Sequence, residues 1–321
     1  MLKDKNFTTF EQQIEILKRR NMKFGSEETA ISVLRRFGYY NVINGYKDLY
    51  VYSDNGNENY LEGVSFEQIF SLYTMDRSIR SAIMEAMEEI EDNLRSAVAH
   101  TIAEAFTAEE NKYLNRSNYK LGRQREDGIY QLDNILAKFE KIRNDNVEPM
   151  KHARETYGNV PPWILLKGAS FGNLVNFVKL LHRREKDCVI SLMYDIPQDI
   201  ISNMPMLKDL FMDTLFVCLD YRNAAAHNKR MYNLETKASF RFSHIIHDKV
   251  DITEADYRHG KGKSGIPVLV SAISLFDNKL PSMKAITRID YAVRIHCDDY
   301  PADKEALLGL LSLQDNIFDS E

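Results

Sequence analysis

From Ser65 to Phe106, apolar side chains return every three or four residues, at Ile69, Leu72, Ile79, Ile83, Met87, Ile90, Leu94, Val98, Ile102 and Phe106. That interval is the α-helical repeat, so the pattern predicts one long helix packed along one side. Such a stripe needs other helices to cover it, and the composition can supply them. Only 14 Gly and 8 Pro occur in 321 residues, against many Leu, Ala, Glu, Lys, Arg and Met, which disfavours strand-rich architectures. With 44% hydrophobic residues the chain can bury a sizeable core, as one large domain or two modest ones. The expected fold class is all-α, with long core helices.

Asp76 interrupts the apolar stripe, and Arg80, Met84, Met87, Glu91 and Arg95 form a neighbouring track in which Glu91 precedes Arg95 by the favourable four residues. The simpler reading is an ion pair flanking a core. The sharper one makes Asp76, Arg80, Glu91 and Arg95 supports of an active site.

Around this helix the chain punctuates itself. Thr9 with Gln12 forms a capping box that starts a helix near 9–21, and Ser26 caps a second near 27–37, with Gly38 as its stop. The tyrosine-rich stretch 37–46 admits base stacking, although buried rings with partnered hydroxyls are the simpler reading. Residues 107–128 read as a loop-rich insertion whose Arg116, Lys120, Arg123 and Arg125 are either solvated or in reach of phosphates. Helical patterning resumes over 129–157, breaks at Pro161-Pro162-Trp163, where Trp163 is expected to anchor core, and restarts behind Ser170 as a helix over 171–183. Beyond about 235 the pattern weakens to possible short strands at 237–246 and helices near 268–276, 282–296 and 303–313. The resulting division is a helical domain over 1–235, with N-terminal helices over 9–50 and a bundle over 65–235. It is followed by a mostly helical extension or small subdomain over 236–321.

Charge and cysteine usage narrow the function classes. Forty-two basic residues against 47 acidic ones give a formal net charge of -5, so any nucleic-acid site must be a local patch. Cys188, Cys218 and Cys297 are odd in number and lack CxxC spacing, which fits reduced cytosol better than a disulfide framework or a cysteine-rich zinc site. The first twenty residues contain no apolar stretch of signal-peptide length, and no later window of about 18 residues is uncharged and apolar. A cytoplasmic, non-membrane protein is expected.

The chemistry concentrates in Tyr221-Arg222-Asn223-Ala224-Ala225-Ala226-His227-Asn228-Lys229-Arg230. Leu207, Leu210, Phe211, Thr214, Leu215 and Cys218 lead into it in three- and four-residue steps, which places Arg222 on an inward-facing stripe. A guanidinium there wants a partner: Asp76 or Glu91 if the reason is structural, a phosphate if it is functional. Asn223 and His227, four apart, share a face, while Arg222 and His227 stand about 140° apart on an ideal helix. They converge only if Arg222 reaches round, if the helix ends near His227, or if a second copy contributes. RNA cleavage without a metal needs a group that exchanges protons near neutral pH and a fixed cation for the charge developing on phosphorus. His227 and Arg222 are of those types, although Arg-x4-His alone is a weak signal.

The block resembles the Arg-(four to six residues)-His signature of the HEPN superfamily, with a polar residue after the arginine. Phe10-Glu11-Gln12-Gln13-Ile14, Leu17-Lys18-Arg19-Arg20, Tyr39-Tyr40, Gly45-Tyr46, Pro162-Trp163 and Ser170-Phe171-Gly172-Asn173-Leu174 are similar to its Abi-like (AbiD/AbiF) bacteriophage-resistance branch, in that family's order and from about residue 5 to 235. The resemblance implies a HEPN helical bundle and a metal-independent endoribonuclease that leaves 2′,3′-cyclic phosphate ends. It further implies a composite site built from two motifs, hence a homodimer, and toxin-like restraint by a regulatory RNA or a protein antitoxin. It gives His227 proton transfer, Arg222 the scissile phosphate and Asn223 their orientation, with Lys229 and Arg230 assisting RNA binding and no cofactor or metal. The family often carries a second histidine where this chain has Asn228.

Other constellations carry less. Gly262-Lys263-Ser264 ends like a P-loop, but Tyr257 stands where its earlier glycine belongs, and the basic residues nearby fit a mobile loop. His244, His247 and Asp248, or His296, Cys297 and Asp298, follow no standard metal-ligand spacing, and no Gly-x-Ser-x-Gly elbow is present. The rival to the enzyme is a non-catalytic RNA- or protein-binding module in which Arg222 and His227 are structural. A third reading is a HEPN partner of a nucleotidyltransferase, as its substrate or antitoxin.

Overall fold

The computed structural model describes residues 7–54 and 56–311. Thr9 closes the expected capping box with Gln12, and α1 runs Phe10–Arg19. Ser26 accepts from the Thr29 amide to start α2, Glu27–Phe37. A π-helical turn at Tyr40–Asn44 leads to a hairpin of β1, Val51–Asp54, and β2, Asn57–Tyr60, paired antiparallel with Val51 opposite Tyr60. Then α3 spans Phe66–Phe106 as one helix, as its periodicity predicts. Every apolar position of the predicted stripe except Phe106 is buried.

After α3 come α4 (Glu110–Tyr113), α5 (Gln131–Arg143) and α6 (Met150–Tyr157), then α7 (Pro162–Leu165), α8 (Phe171–Leu180), α9 (Arg183–Tyr194) and α10 (Gln198–Asn203). The 22-residue α11 (Pro205–Ala226) carries the Arg222 block. The remainder is α12 (His244–His247), α13 (Glu254–Arg258), α14 (Ile266–Ile273), α15 (Leu280–Asp299) and α16 (Lys304–Leu311). The protein is thus predominantly all-α. The expected helix over 303–313 is met through Leu311, and its last two residues lie outside the described ones.

Two compact units emerge, and neither is a continuous stretch of chain. The first gathers the described residues up to Ser81, Asn228–Leu234, and those from Thr287 onward; the second gathers Ala82–His227 and Glu235–Ile286. The first unit packs rings in series, with Phe66 on Phe70, Phe37 on Tyr73 at 5.5 Å and Tyr46 edge-on to Tyr73 at 5.4 Å. Asp303 ties its distant segments: it accepts from Tyr50 at 2.7 Å and Gln68 at 3.0 Å and meets His296 Nε2 at 3.1 Å, while His296 Nδ1 meets the Ser71 hydroxyl at 2.8 Å. In the second unit α11 packs on α8 and α14, and Tyr194, Phe211 and Phe276 form a ring cluster with centroids 5.5–6.2 Å apart. Full burial of each such side chain stabilises by about 1.5–3 kcal/mol.

Two local expectations fail. No strand forms over 237–246, because side chains of α11 satisfy that backbone. Asp220 accepts from the Lys237 and Ala238 amides, both at 2.8 Å, and Asp213 from that of Arg241 at 3.1 Å. Nor does Trp163 anchor core: it is 52% exposed, since α7 is a single turn whose inward positions are Pro162 and Leu165.

Candidate active site

α11 ends where the candidate residues sit. Its last turn is Asn223–Ala226, and His227 is the C-cap, its amide bonded back to the Asn223 carbonyl at 3.1 Å. Asn228 then takes a left-handed conformation, φ 53°, which turns the chain out of the helix. Asparagine tolerates that region better than most side chains. Ala224 and Ala225 face inward and are buried, so the helix is thin where it approaches its neighbours, while Asn223, Ala226 and His227 are exposed. Of the conditions under which Arg222 and His227 could converge, the end of the helix at His227 is met.

Arg222 is half-buried beside Glu91 of α3. Its Nε lies 4.0 Å from Glu91 Oε2 and, though enclosed, has no hydrogen-bond acceptor; Nη1 approaches Asn223 Oδ1 at 3.5 Å. Glu91 is more firmly bound to Arg95, at 2.7 Å. Arg95 in turn pairs with Asp92 and donates Nε to the Leu166 carbonyl at 2.9 Å. Burial pushes the Glu91 carboxyl above the usual range, against the pull of Arg95 and then Arg222. Two guanidinium groups thus share one carboxylate, and Arg222 has the weaker hold. Of the two carboxylates that sequence offered as its partner, Glu91 is the neighbour.

Asp76 is engaged elsewhere, within the first unit. Fully buried, it accepts from the amides of Met231 and Tyr232 at 2.7 and 2.8 Å and from the Tyr46 hydroxyl at 2.7 Å, with Arg80 Nη1 at 3.9 Å. Burial raises its carboxyl and the donors pull it down, the net being upward. Arg80 donates to the Lys229 carbonyl at 3.2 Å. Asp76 and Arg80 therefore fasten the segment that follows His227. The Lys229 side chain is exposed, whereas Arg230 pairs with Asp48 at 2.7 Å and donates to the Gly45 carbonyl at 2.8 Å.

The tyrosine-rich stretch divides. Val42, Ile43 and Tyr46 are core, while Tyr40 is 72% exposed. Composition alone could not separate them, because the π-helical turn at Tyr40–Asn44 decides which side chains face inward. Among the described residues, no three His, Cys, Asp or Glu side chains are grouped as a metal site requires. His247 is instead bound to Gly262 O at 3.0 Å and Ser243 O at 2.9 Å. No described helix is long and apolar enough to cross a membrane.

An exposed imidazole, an amide and a half-held guanidinium at one helix end are suited to proton transfer and to binding an oxyanion. Residues 32–233 match the family described as Abi-like protein, a stretch that takes in Arg222, Asn223 and His227. No curated protein and no solved structure matches the chain.

Proposed function

The chain belongs to the Abi-like family, one of abortive-infection defence against bacteriophage, and from that premise we propose that it is a HEPN endoribonuclease needing no metal. The observation that carries the reading is the end of α11: His227 caps the helix with an exposed imidazole, and Arg222, five residues earlier, keeps an N–H without an acceptor. In the reaction a ribose 2′-hydroxyl gives up its proton and attacks the adjacent phosphorus. The bond to the 5′-oxygen breaks, that oxygen takes a proton, and a 2′,3′-cyclic phosphate remains. His227 transfers the proton, Arg222 neutralises the non-bridging oxygens and Asn223 orients them.

In-line attack needs a flexible backbone, so single-stranded or looped RNA is the substrate. One motif per chain is completed by a second copy, giving a homodimer with a composite site, and a regulatory RNA or a protein antitoxin restrains the toxin in the cytoplasm. The test is incubation of wild-type and His227→Ala protein with total RNA in EDTA, followed by mapping of fragment ends. Cyclic-phosphate ends from wild type alone support the enzyme. Absence of cleavage by either, with both folded and dimeric, favours a non-catalytic RNA- or protein-binding module or an inhibited toxin awaiting its trigger.

A further inference from the structure

The first unit contains a recess of about 390 Å³ walled by rings and guanidinium groups. Phe37 and Tyr73 form one side, tilted on each other at 5.5 Å, and Tyr46 meets Tyr73 edge-on while its hydroxyl is spent on Asp76. Tyr40 also lines the recess but belongs to none of these contacts: its ring is 72% exposed. An aromatic face is therefore turned to solvent beside a wall of packed rings.

Three arginines line the same recess, and two are committed. Arg80 lies against Asp76 and the Lys229 carbonyl, and Arg230 holds Asp48 and the Gly45 carbonyl. Arg77 is exposed, with its guanidinium over the Phe37 ring at 5.7 Å, and it meets no carboxylate among the described residues. In a chain of net charge -5 this is a local excess of positive charge. Asn228, the residue that follows His227, adds a side-chain amide, and Asn41 adds another whose nitrogen also donates to the Phe37 carbonyl at 2.9 Å. A stacking face, an uncommitted guanidinium and amides that can pair with a base edge are complementary to a nucleotide, and the volume falls in the range of small-ligand sites.

We propose that this recess binds one unpaired nucleotide of RNA, with its base on Tyr40 and its phosphate on Arg77. The identity of the polymer rests on the ribonuclease reading; the complementarity to a nucleotide does not. Base stacking gives the site a preference for the larger purine rings.

Binding of a fluorescein-labelled oligoadenylate hexamer is measured by anisotropy in the His227→Ala background, where the probe survives. Tyr40→Ala and Arg77→Ala are each expected to weaken binding by about tenfold, and Tyr40→Phe to restore it. Lys284→Ala, which alters a cation held by Glu89, leaves it unchanged. All positions are exposed, and matching melting temperatures exclude misfolding. Equal affinity in wild-type, Tyr40→Ala and Arg77→Ala backgrounds overturns the proposal. Tight binding of adenosine monophosphate that depends on Tyr40, with no such dependence for the hexamer, overturns the assignment to an RNA strand in favour of a free nucleotide. If the hexamer shows the expected dependence while wild type cuts no RNA, the recess stands and the ribonuclease reading falls.

Discussion

Asp76 Oδ1 accepts the backbone N–H of Met231 at 2.7 Å, joining residues 155 positions apart. The same carboxylate serves the Tyr232 amide and the Tyr46 hydroxyl, all away from water. Each buried donor left without an acceptor costs about 1–3 kcal/mol. Asp76→Ala is therefore expected to lower the unfolding free energy by at least about 3 kcal/mol in urea titrations, since three donors lose their acceptor. Asp76→Asn keeps an accepting oxygen and should cost less; an equal loss in both would move the effect from hydrogen bonding to charge.

His227 caps α11 with its side chain in solvent, so His227→Ala should leave the melting temperature in place. Loss of a proton-transfer group should lower RNA cleavage by at least about 100-fold. Residual cleavage within a few-fold of wild type would remove His227 from the reaction.

Glu91 is shared by Arg95 and Arg222, and Arg95 keeps Asp92 and the Leu166 carbonyl if Glu91 is neutralised. Glu91→Gln should thus fold normally while Arg222 loses its only carboxylate neighbour among the described residues. Cleavage efficiency is expected to fall about tenfold, the equivalent of one charge-assisted contact. A change in melting temperature without a change in kcat/KM would make the pair purely structural.

Asp303 contributes to the pH response of the first unit. Burial opposes its ionisation, but the bonds from His296, Gln68 and Tyr50 prevail and hold its carboxyl below the usual range. A depressed folded value means that the stabilisation is present above the ordinary aspartate range and is lost as pH falls through it. The stability that wild type holds over Asp303→Asn should therefore shrink on acidification, which paired unfolding midpoints would read. Asp76, shifted upward, contributes with the opposite sign: it stabilises most when protonated and loses that contribution as pH rises.

Much of the helical framework was legible because it rests on local chemistry. The stripe of α3, the capping box at Thr9 and the caps at Ser26 and Ser170 are all as read, since periodicity and capping act within a few residues. The β1–β2 hairpin went unread although Asn55-Gly56, a strong two-residue turn signal, stands between its strands. Contacts from far along the chain were out of reach: Asp220 and Asp213 replace a strand partner for 237–241, and nothing near Tyr50 points to Asp303, 253 residues away. The same holds for the candidate site. Arg222, Asn223 and His227 stand out as a motif, but the choice of Glu91 over Asp76 beside Arg222 and the outward turn of Tyr40 depend on packing that no local pattern encodes.

The discontinuous first unit has a consequence for how the protein is made. Its early segments leave the ribosome first, yet the amides that Asp76 accepts arrive only with Met231 and Tyr232, and the acceptor for Tyr50 and Gln68 only with Asp303. Until translation reaches that point, the N-terminal helices have no distal partners, so a nascent chain carrying Arg222 and His227 precedes the assembled unit. This ordering is a delay written into synthesis: the motif is polymerised before Asp303 arrives to accept from Tyr50 and Gln68.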